Sequence, residues 1–160
     1  MTHNAPMIHI LRAGPEHFDP ALDLLRRFFA EEGFEVPRDQ IRLNLEAFLS
    51  RADYGVFLAS IAGQPVGLAT VSASVSVELG RMAEIDDLYV LPDARGHRVA
   101  RALITAALDW CRAQGRVYVQ VTITPEGEDA HGLTHFYDKL GFVDTQRTIM
   151  ALALSESSLI

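Results

Sequence analysis

Between positions 84 and 101 the chain sets three carboxylates, Glu84, Asp86 and Asp87, shortly ahead of the run Arg95-Gly96-His97-Arg98-Val99-Ala100-Arg101. The two groups suit different chemistry. A carboxylate on a strand can take a proton from a nucleophile, directly or through water. A loop that opens a helix gathers backbone N–H groups without intrahelical acceptors at the positive end of the helix dipole, a setting that holds phosphate or pyrophosphate. Here the residues up to Val90 read as a strand, Pro92 marks a turn, and 97–114 is an amphipathic helical run without interior proline. Simple alternation puts Glu84 and Asp86 on one strand face and Asp87 on the other, and a bulge would shift that register. The bland alternative is a set of solvated strand-end carboxylates and a solvated arginine in the first helical turn.

The elements that must position these groups follow from periodicity. Residues 7–12 alternate and predict a first strand. Asp19-Pro20 predicts an N-cap and first helical position, and Ala21, Leu24, Leu25, Phe28 and Phe29 follow at helical spacing until Gly33. A second helix is expected over 38–51, with Ile41, Leu45 and Leu49 on one stripe. The runs 56–59 and 66–71 flank Gly63-Gln64 and predict a hairpin. Further strands are expected at 82–90, 117–123 and 148–154, with helices at 97–114 and 129–139. The order βααβββαβαβ is mixed α/β (α+β), and nothing in the chain marks a linker, a repeat or a low-complexity tract, so 1–160 is expected to be a single domain.

Composition narrows the function classes. The net charge of −7 argues against nucleic acid, whose phosphates require clustered Lys and Arg, and it favours cationic partners. The single cysteine, Cys111, excludes an intramolecular disulfide and reads as a small buried hydrophobe. No apolar stretch approaches the roughly 20 residues of a membrane span, and the N-terminus lacks a basic region followed by an apolar run. A cytoplasmic protein is expected, without nucleic-acid or membrane partners and without a metal. Oligomeric state stays open, a homodimer being the commonest closed assembly.

Two motifs resemble one family. The frame Arg95-Gly96-His97-Arg98-Val99-Ala100 resembles the phosphate loop Arg/Gln-x-x-Gly-x-Gly/Ala of the GNAT superfamily of acyl-CoA-dependent N-acyltransferases, departing at Arg98, where the family usually has glycine. Downstream, His131-Gly132-Leu133-Thr134-His135-Phe136-Tyr137-Asp138-Lys139-Leu140-Gly141-Phe142 resembles the family's late helix ending in Phe-Tyr-x-x-x-Gly-Phe. The resemblance covers roughly 56–154. It implies a twisted, mostly antiparallel sheet of six to seven strands flanked by about four helices, with acetyl-CoA as co-substrate.

Carried over by position, the resemblance assigns backbone pairing with the pantetheine arm to Leu88, Tyr89 and Val90. It rests the pyrophosphate on amides between Arg95 and Arg101, that is on Gly96, His97, Arg98, Val99 and Ala100 as well. Arg98 either points away from the phosphates or adds a guanidinium contact, and the second is favoured. The reaction so implied is attack of a neutral amine on a thioester. An amine with pKa near 10.4 must first lose a proton, which costs about 4–5 kcal/mol at neutral pH. Glu84 is the first candidate to relay that proton, because relatives place a glutamate nearby, with Asp87 and Asp86 as alternatives. Tyr137 occupies the position of the tyrosine that protonates the departing thiolate. His131 stands where many relatives have a pantetheine-contacting asparagine, a substitution that resembles some aminoalkylphosphonate acetyltransferases.

The leading expectation is an N-acetyltransferase acting on a primary amine of a small cationic molecule. Glu126, Glu128 and Asp129 would extend the acidic rim, which suits a polyamine or an aminoglycoside. Asp87-Leu88 and Tyr137-Asp138-Lys139-Leu140-Gly141 also resemble aminoglycoside 3-N-acetyltransferases, which brings antibiotic resistance into view. Two alternatives stand beside it: a non-catalytic acyl-CoA-binding module, favoured by Arg98, and a protein or peptide N-acetyltransferase.

Overall fold

The alternating runs of the chain's middle third pair into a sheet, and the helical stripes cover its two faces. The structure, a computed structural model, describes residues 5–155. Its elements are β1 (Ile8–Arg12), α1 (Phe18–Glu32), α2 (Arg38–Leu49), β2 (Gly55–Ile61), β3 (Gln64–Ser76), β4 (Gly80–Val90), α3 (Val99–Ala113), β5 (Tyr118–Val121), α4 (Pro125–His131) and α5 (Leu133–Asp138). Single 3-10 turns lie at Pro15–His17 and Pro92–Ala94. The strand order is β1-β2-β3-β4-β5, and β1 through β4 pair antiparallel. The mixed α/β, mostly antiparallel class is therefore as expected, with five strands where six to seven were implied.

The chain divides into two compact units between Val119 and Gln120. In the first, Leu58 and Leu68 face one another across β2 and β3 and join Val56, Tyr89, Leu24, Leu25, Ile41 and Leu45 in a buried cluster beneath α1 and α2. Burying each such side chain contributes about 1.5–3 kcal/mol relative to exposure. The opposite sheet face receives α3, whose Val99, Leu103, Ile104, Ala107 and Cys111 are buried. Phe57 meets Trp110 edge-on there, with ring centroids 5.8 Å apart. Cys111 is thus the packed hydrophobe its context suggests.

Two local corrections concern element starts. The first helix begins at Phe18, not at an Asp19 cap, because the 3-10 turn Pro15–His17 runs straight into it. Pro20 then sits within the first turn, where its missing N–H has no intrahelical partner to lose. The hairpin turns at Ala62 and Gly63, with φ of 50° and 78°, so Gln64 opens β3 instead of closing the turn. Two positive φ values in a two-residue loop match the right-handed twist of the flanking strands.

In the second unit the single helix expected over 129–139 is two, broken at Gly132. The Thr124 hydroxyl accepts the Gly127 N–H at 3.1 Å to cap α4, and the Glu128 carboxylate accepts the Thr134 N–H at 2.7 Å at the start of α5. The strand expected over 148–154 does not form: this stretch has no regular secondary structure, and Ile149, Met150, Leu152 and Leu154 are exposed. Alternation nominates a strand, but only a ladder partner makes one, and none is recorded for these residues among those described. No helix among the described residues is long and apolar enough to cross a membrane.

Gly67 on β3 decides how closely α3 approaches the sheet. A Cβ there would lie 3.1 Å from both Val99 Cγ1 and Leu103 Cδ1 and 3.0 Å from the Tyr89 carbonyl oxygen. Gly67→Ala is therefore expected to cost about 1–2 kcal/mol, because backbone cannot yield as a flexible side chain does. The check is the urea midpoint of the variant, and an unchanged midpoint contradicts this packing.

Candidate active site

The pairing of β3 with β4 carries one residue too many. Thr70 is opposite Asp87 while Val71 is opposite Ile85, which leaves Asp86 as the extra residue of a β-bulge. The bulge reverses the alternation expected from sequence. Ser72, Thr70 and Leu68 share one face of β3, and their partners are Glu84, Asp87 and Tyr89. Leu68 and Tyr89 belong to the core beneath α1 and α2, so this is the face those helices cover. Asp86 also bonds Ser72. All three carboxylates thereby lie on one face, where strict alternation would have sent Asp87 to the α3 side.

Their environments differ. The carboxyl of Asp86 is pushed up to about 6, first by partial desolvation, then further by the Asp87 and Glu84 charges, with the Ser72 hydroxyl opposing. Burial also pushes Asp87 up, opposed by the Thr70 hydroxyl, which donates to Asp87 Oδ2 at 2.5 Å. Thr70 is only 2% exposed.

At the end of β4 a second network fixes the loop. Arg95 Nη2 donates to Glu31 Oε1 at 2.5 Å, Arg95 Nε donates to the Val90 carbonyl at 3.1 Å, and the Tyr89 hydroxyl donates to Glu31 Oε2 at 2.9 Å. The guanidinium also lies 5.9 Å from the Tyr89 ring, which stacks on Phe28 at 5.4 Å. The Arg95 side chain thus ties the end of α1 to the end of β4. Leu88, Tyr89 and Val90 pair with Ala69, Leu68 and Gly67 along β3, and the Val90 carbonyl additionally receives Arg95.

After Gly96, at φ 82°, the loop ends at Arg98 in a left-handed conformation, φ 64° and ψ 19°, and α3 starts at Val99, two residues later than expected. The first helical hydrogen bond runs from Ala102 N–H to the Arg98 carbonyl. The N–H groups of Val99, Ala100 and Arg101 therefore precede any intrahelical acceptor. A left-handed residue followed by a right-handed one turns successive N–H groups into a concavity that suits an anion. Arg98 holds this geometry despite its side chain, at a cost of about 1–2 kcal/mol relative to glycine. Arg98 and Arg101 also line an open groove of about 440 Å³ with Ile8, Thr105 and Asp109.

In the second unit, Tyr137 is buried on α5 between Phe136 and Phe142, with centroids 5.0 and 5.2 Å away, and burial pushes its phenol well above the usual range. His131 closes α4. Thr70, Ser72 and Glu31 carry no signal in the motifs. Only the alternation of hydroxyls at 70 and 72, opposite the acidic strand, hinted at two of them.

The Acetyltransferase (GNAT) family matches residues 18–142. The chain belongs to the GNAT family. An uncharacterised N-acetyltransferase of Methanocaldococcus jannaschii is 30% identical over 100 residues, 61% of this chain and 43% of the relative, so the match spans less than half of that relative's length. An integron cassette protein from the mobile metagenome of the Cole Harbour Salt Marsh has the same fold, with TM-score 0.80, 23% identity, and coverage of 91% of this chain and 90% of that one. The aminoglycoside N-acetyltransferase AAC(6')-Iy, in complex with CoA, gives TM-score 0.78 at 20% identity over 97% of this chain and 100% of its own. At such identities the likeness is one of fold. The acyl-CoA of GNAT enzymes carries a pyrophosphate, and the unpaired amides at the start of α3 fit such a group.

Asp86 makes the bulge testable through pH. Its carboxyl is raised from 3.8 to about 6, so the folded chain keeps a proton that the unfolded chain releases. Its contribution to stability is therefore greatest below about pH 4 and is lost as pH rises towards about 6. Asp86→Asn is expected to remove this loss, so that the variant-minus-wild-type difference in urea midpoint grows across that window and is flat above it. A difference independent of pH contradicts the assignment.

Proposed function

We propose that this chain, with residues 1–160 acting as one catalytic domain, transfers an acetyl group from acetyl-CoA to a primary amine of a small, cationic molecule. The observation that carries the reading is the bulge of β4, which turns Glu84, Asp86 and Asp87 to one face of the strand that leads into the amide concavity at Arg98–Arg101. The family match runs across the division of the chain, from 18 to 142.

When bound, acetyl-CoA supplies the activated thioester. The amides of residues 96–101 hold its phosphates, with the Arg98 guanidinium as a further contact, and the backbone of Leu88, Tyr89 and Val90 aligns the pantetheine arm, aided by His131. Glu84 and Asp87, with Asp86 between them, receive the proton that the amine loses as its nitrogen attacks the carbonyl carbon. A carboxyl raised towards neutrality accepts a proton more readily at pH 7 than an ordinary aspartate does. As the C–S bond breaks, the Tyr137 hydroxyl donates to the departing thiolate. Burial raises its pKa, which keeps the hydroxyl as a hydrogen-bond donor towards the thiolate while making it a weaker acid. The acidic face repels anionic acceptors and attracts polyamines and aminoglycosides, and the likeness in fold to AAC(6')-Iy agrees with the second class. A cytoplasmic enzyme that uses no metal completes the proposal, with oligomeric state left open.

The non-catalytic alternative rested on Arg98, but Arg98 adopts the left-handed backbone that a glycine there would supply. That observation supports a working phosphate loop.

The test is CoA thiol release with acetyl-CoA and a panel of spermidine, an aminoglycoside and a peptide with a free N-terminus. The reading expects turnover with the cationic small molecules, and a shift in Tm worth about 2.7 kcal/mol at 100 times Kd of acetyl-CoA. No binding at millimolar acetyl-CoA overturns it, and turnover of the peptide alone transfers the acceptor to proteins. Arg98→Gly should weaken acetyl-CoA up to about tenfold, or 1.4 kcal/mol, whereas unchanged or tighter binding places the guanidinium away from phosphate. Tyr137→Phe keeps the ring packing and should lower kcat and kcat/KM together by roughly 10²-fold with Kd for acetyl-CoA unchanged. A near wild-type kcat, measured where chemistry limits the rate, retires Tyr137 as the acid.

A further inference from the structure

Thr70 is buried, at 2% exposure, and it lies opposite Asp87 at the register shift. We propose that Thr70 is a positioning residue: its hydroxyl, donating to Asp87 Oδ2, holds that carboxyl in place for use as the proton acceptor on β4. The inference rests on the acetyltransferase reading for its catalytic meaning, but the contact itself is independent of that reading.

The geometry makes the case. Thr70 Oγ1 lies within hydrogen-bond distance of Asp87 Oδ2, at 2.5 Å. The bulge creates it. By excluding Asp86 from the pairing, it brings Asp87 opposite Thr70, so that both side chains lie on the same face. Thr70 itself is enclosed, at 2% exposure, so its hydroxyl is withdrawn from bulk solvent.

The charged and polar groups around Asp87 set the direction of the effect. On β4 these are the Asp86 and Glu84 carboxylates, which interact with one another along the strand. On β3 they are the Thr70 and Ser72 hydroxyls. Two residues along, at Tyr89, stand Glu31 and Arg27 of α1 and Arg95 of the loop, with the Glu31 carboxylate engaged by Tyr89 and Arg95. α3 packs on the other side of the sheet, against Gly67. Burial favours a protonated Asp87. The Thr70 hydroxyl is the opposing interaction, and it favours the carboxylate. Without it, Asp87 would hold its proton to higher pH.

The experiment compares Thr70→Val, close in shape but without the hydroxyl, with Thr70→Ser, which retains it. Aspartate carboxyl carbons are labelled with ¹³C, and the Asp87 signal is identified by its absence in Asp87→Asn. The proposal expects the Asp87 titration midpoint to rise by about one pH unit or more in Thr70→Val, as befits loss of a hydrogen bond to a charged group, and to return towards wild type in Thr70→Ser. A midpoint unmoved in Thr70→Val, or equally displaced in both variants, overturns it. The acid limb of kcat/KM is measured on the same proteins and tests the catalytic reading separately. If the limb follows the carboxyl midpoint, Asp87 acts in turnover. If Asp87→Asn retains wild-type kcat/KM, the catalytic use of Asp87 fails while the titration still judges the role of Thr70.

Discussion

The mismatch of one residue between β3 and β4 is the constraint from which the site follows. A strand presents its side chains to alternate faces, so neighbouring Asp86 and Asp87 cannot both face the same way without a local break. The bulge supplies it, and everything C-terminal to Asp86 is turned over relative to an unbroken strand. Two consequences follow together. Asp87 joins Glu84 on the face covered by α1 and α2, and Tyr89 enters the core beneath those helices, stacked on Phe28. The same step that assembles the carboxylates therefore also anchors the end of β4.

That anchor extends to the loop. Tyr89 and Arg95 share the Glu31 carboxylate, and Arg95 also reaches the Val90 carbonyl. A single exposed ion pair adds less than about 1 kcal/mol, but here a part-buried hydroxyl and a backbone acceptor bind the same two groups. Glu31 lies in the last turn of α1, where the helix dipole disfavours a negative charge, and Arg95 offsets that. Arg95 is thus a strut in this structure, and the amides without intrahelical acceptors are those of Val99, Ala100 and Arg101.

Reading the chain from its residues reached the architecture because the informative signals were local: helical stripes in α1 and α3, a glycine-bearing hairpin, a strand running into a helix-opening loop. What escaped was set by distant partners or by a single residue of register. Glu31 and Arg95 are 64 positions apart, and nothing near either predicts the other. The bulge at Asp86 depends on the pairing strand, so alternation alone put Asp87 on the wrong face. The stretch 148–154 has a strand's pattern, but no strand forms there and no ladder partner is found among the described residues. At Arg98 the side chain departs from the glycine of the resembled motif, whereas the backbone adopts the left-handed conformation that glycine favours. The helix expected over 129–139 concealed a break, because Gly132 interrupts a pattern that otherwise continues.

The central claim is that the bulge turns the acidic face of β4 towards the reacting amine while the start of α3 holds the phosphates. The most direct test is a crystal structure of the chain with a bisubstrate ligand, in which the sulfur of CoA is linked through an acetyl unit to a diamine. The account predicts pyrophosphate oxygens within hydrogen-bond distance of the amides of residues 96–101. It also predicts the diamine nitrogen on the side of Glu84, Asp86 and Asp87, in direct or single-water contact with a carboxylate. A diamine bound on the α3 side of the sheet, or a pyrophosphate away from the start of α3, would contradict it.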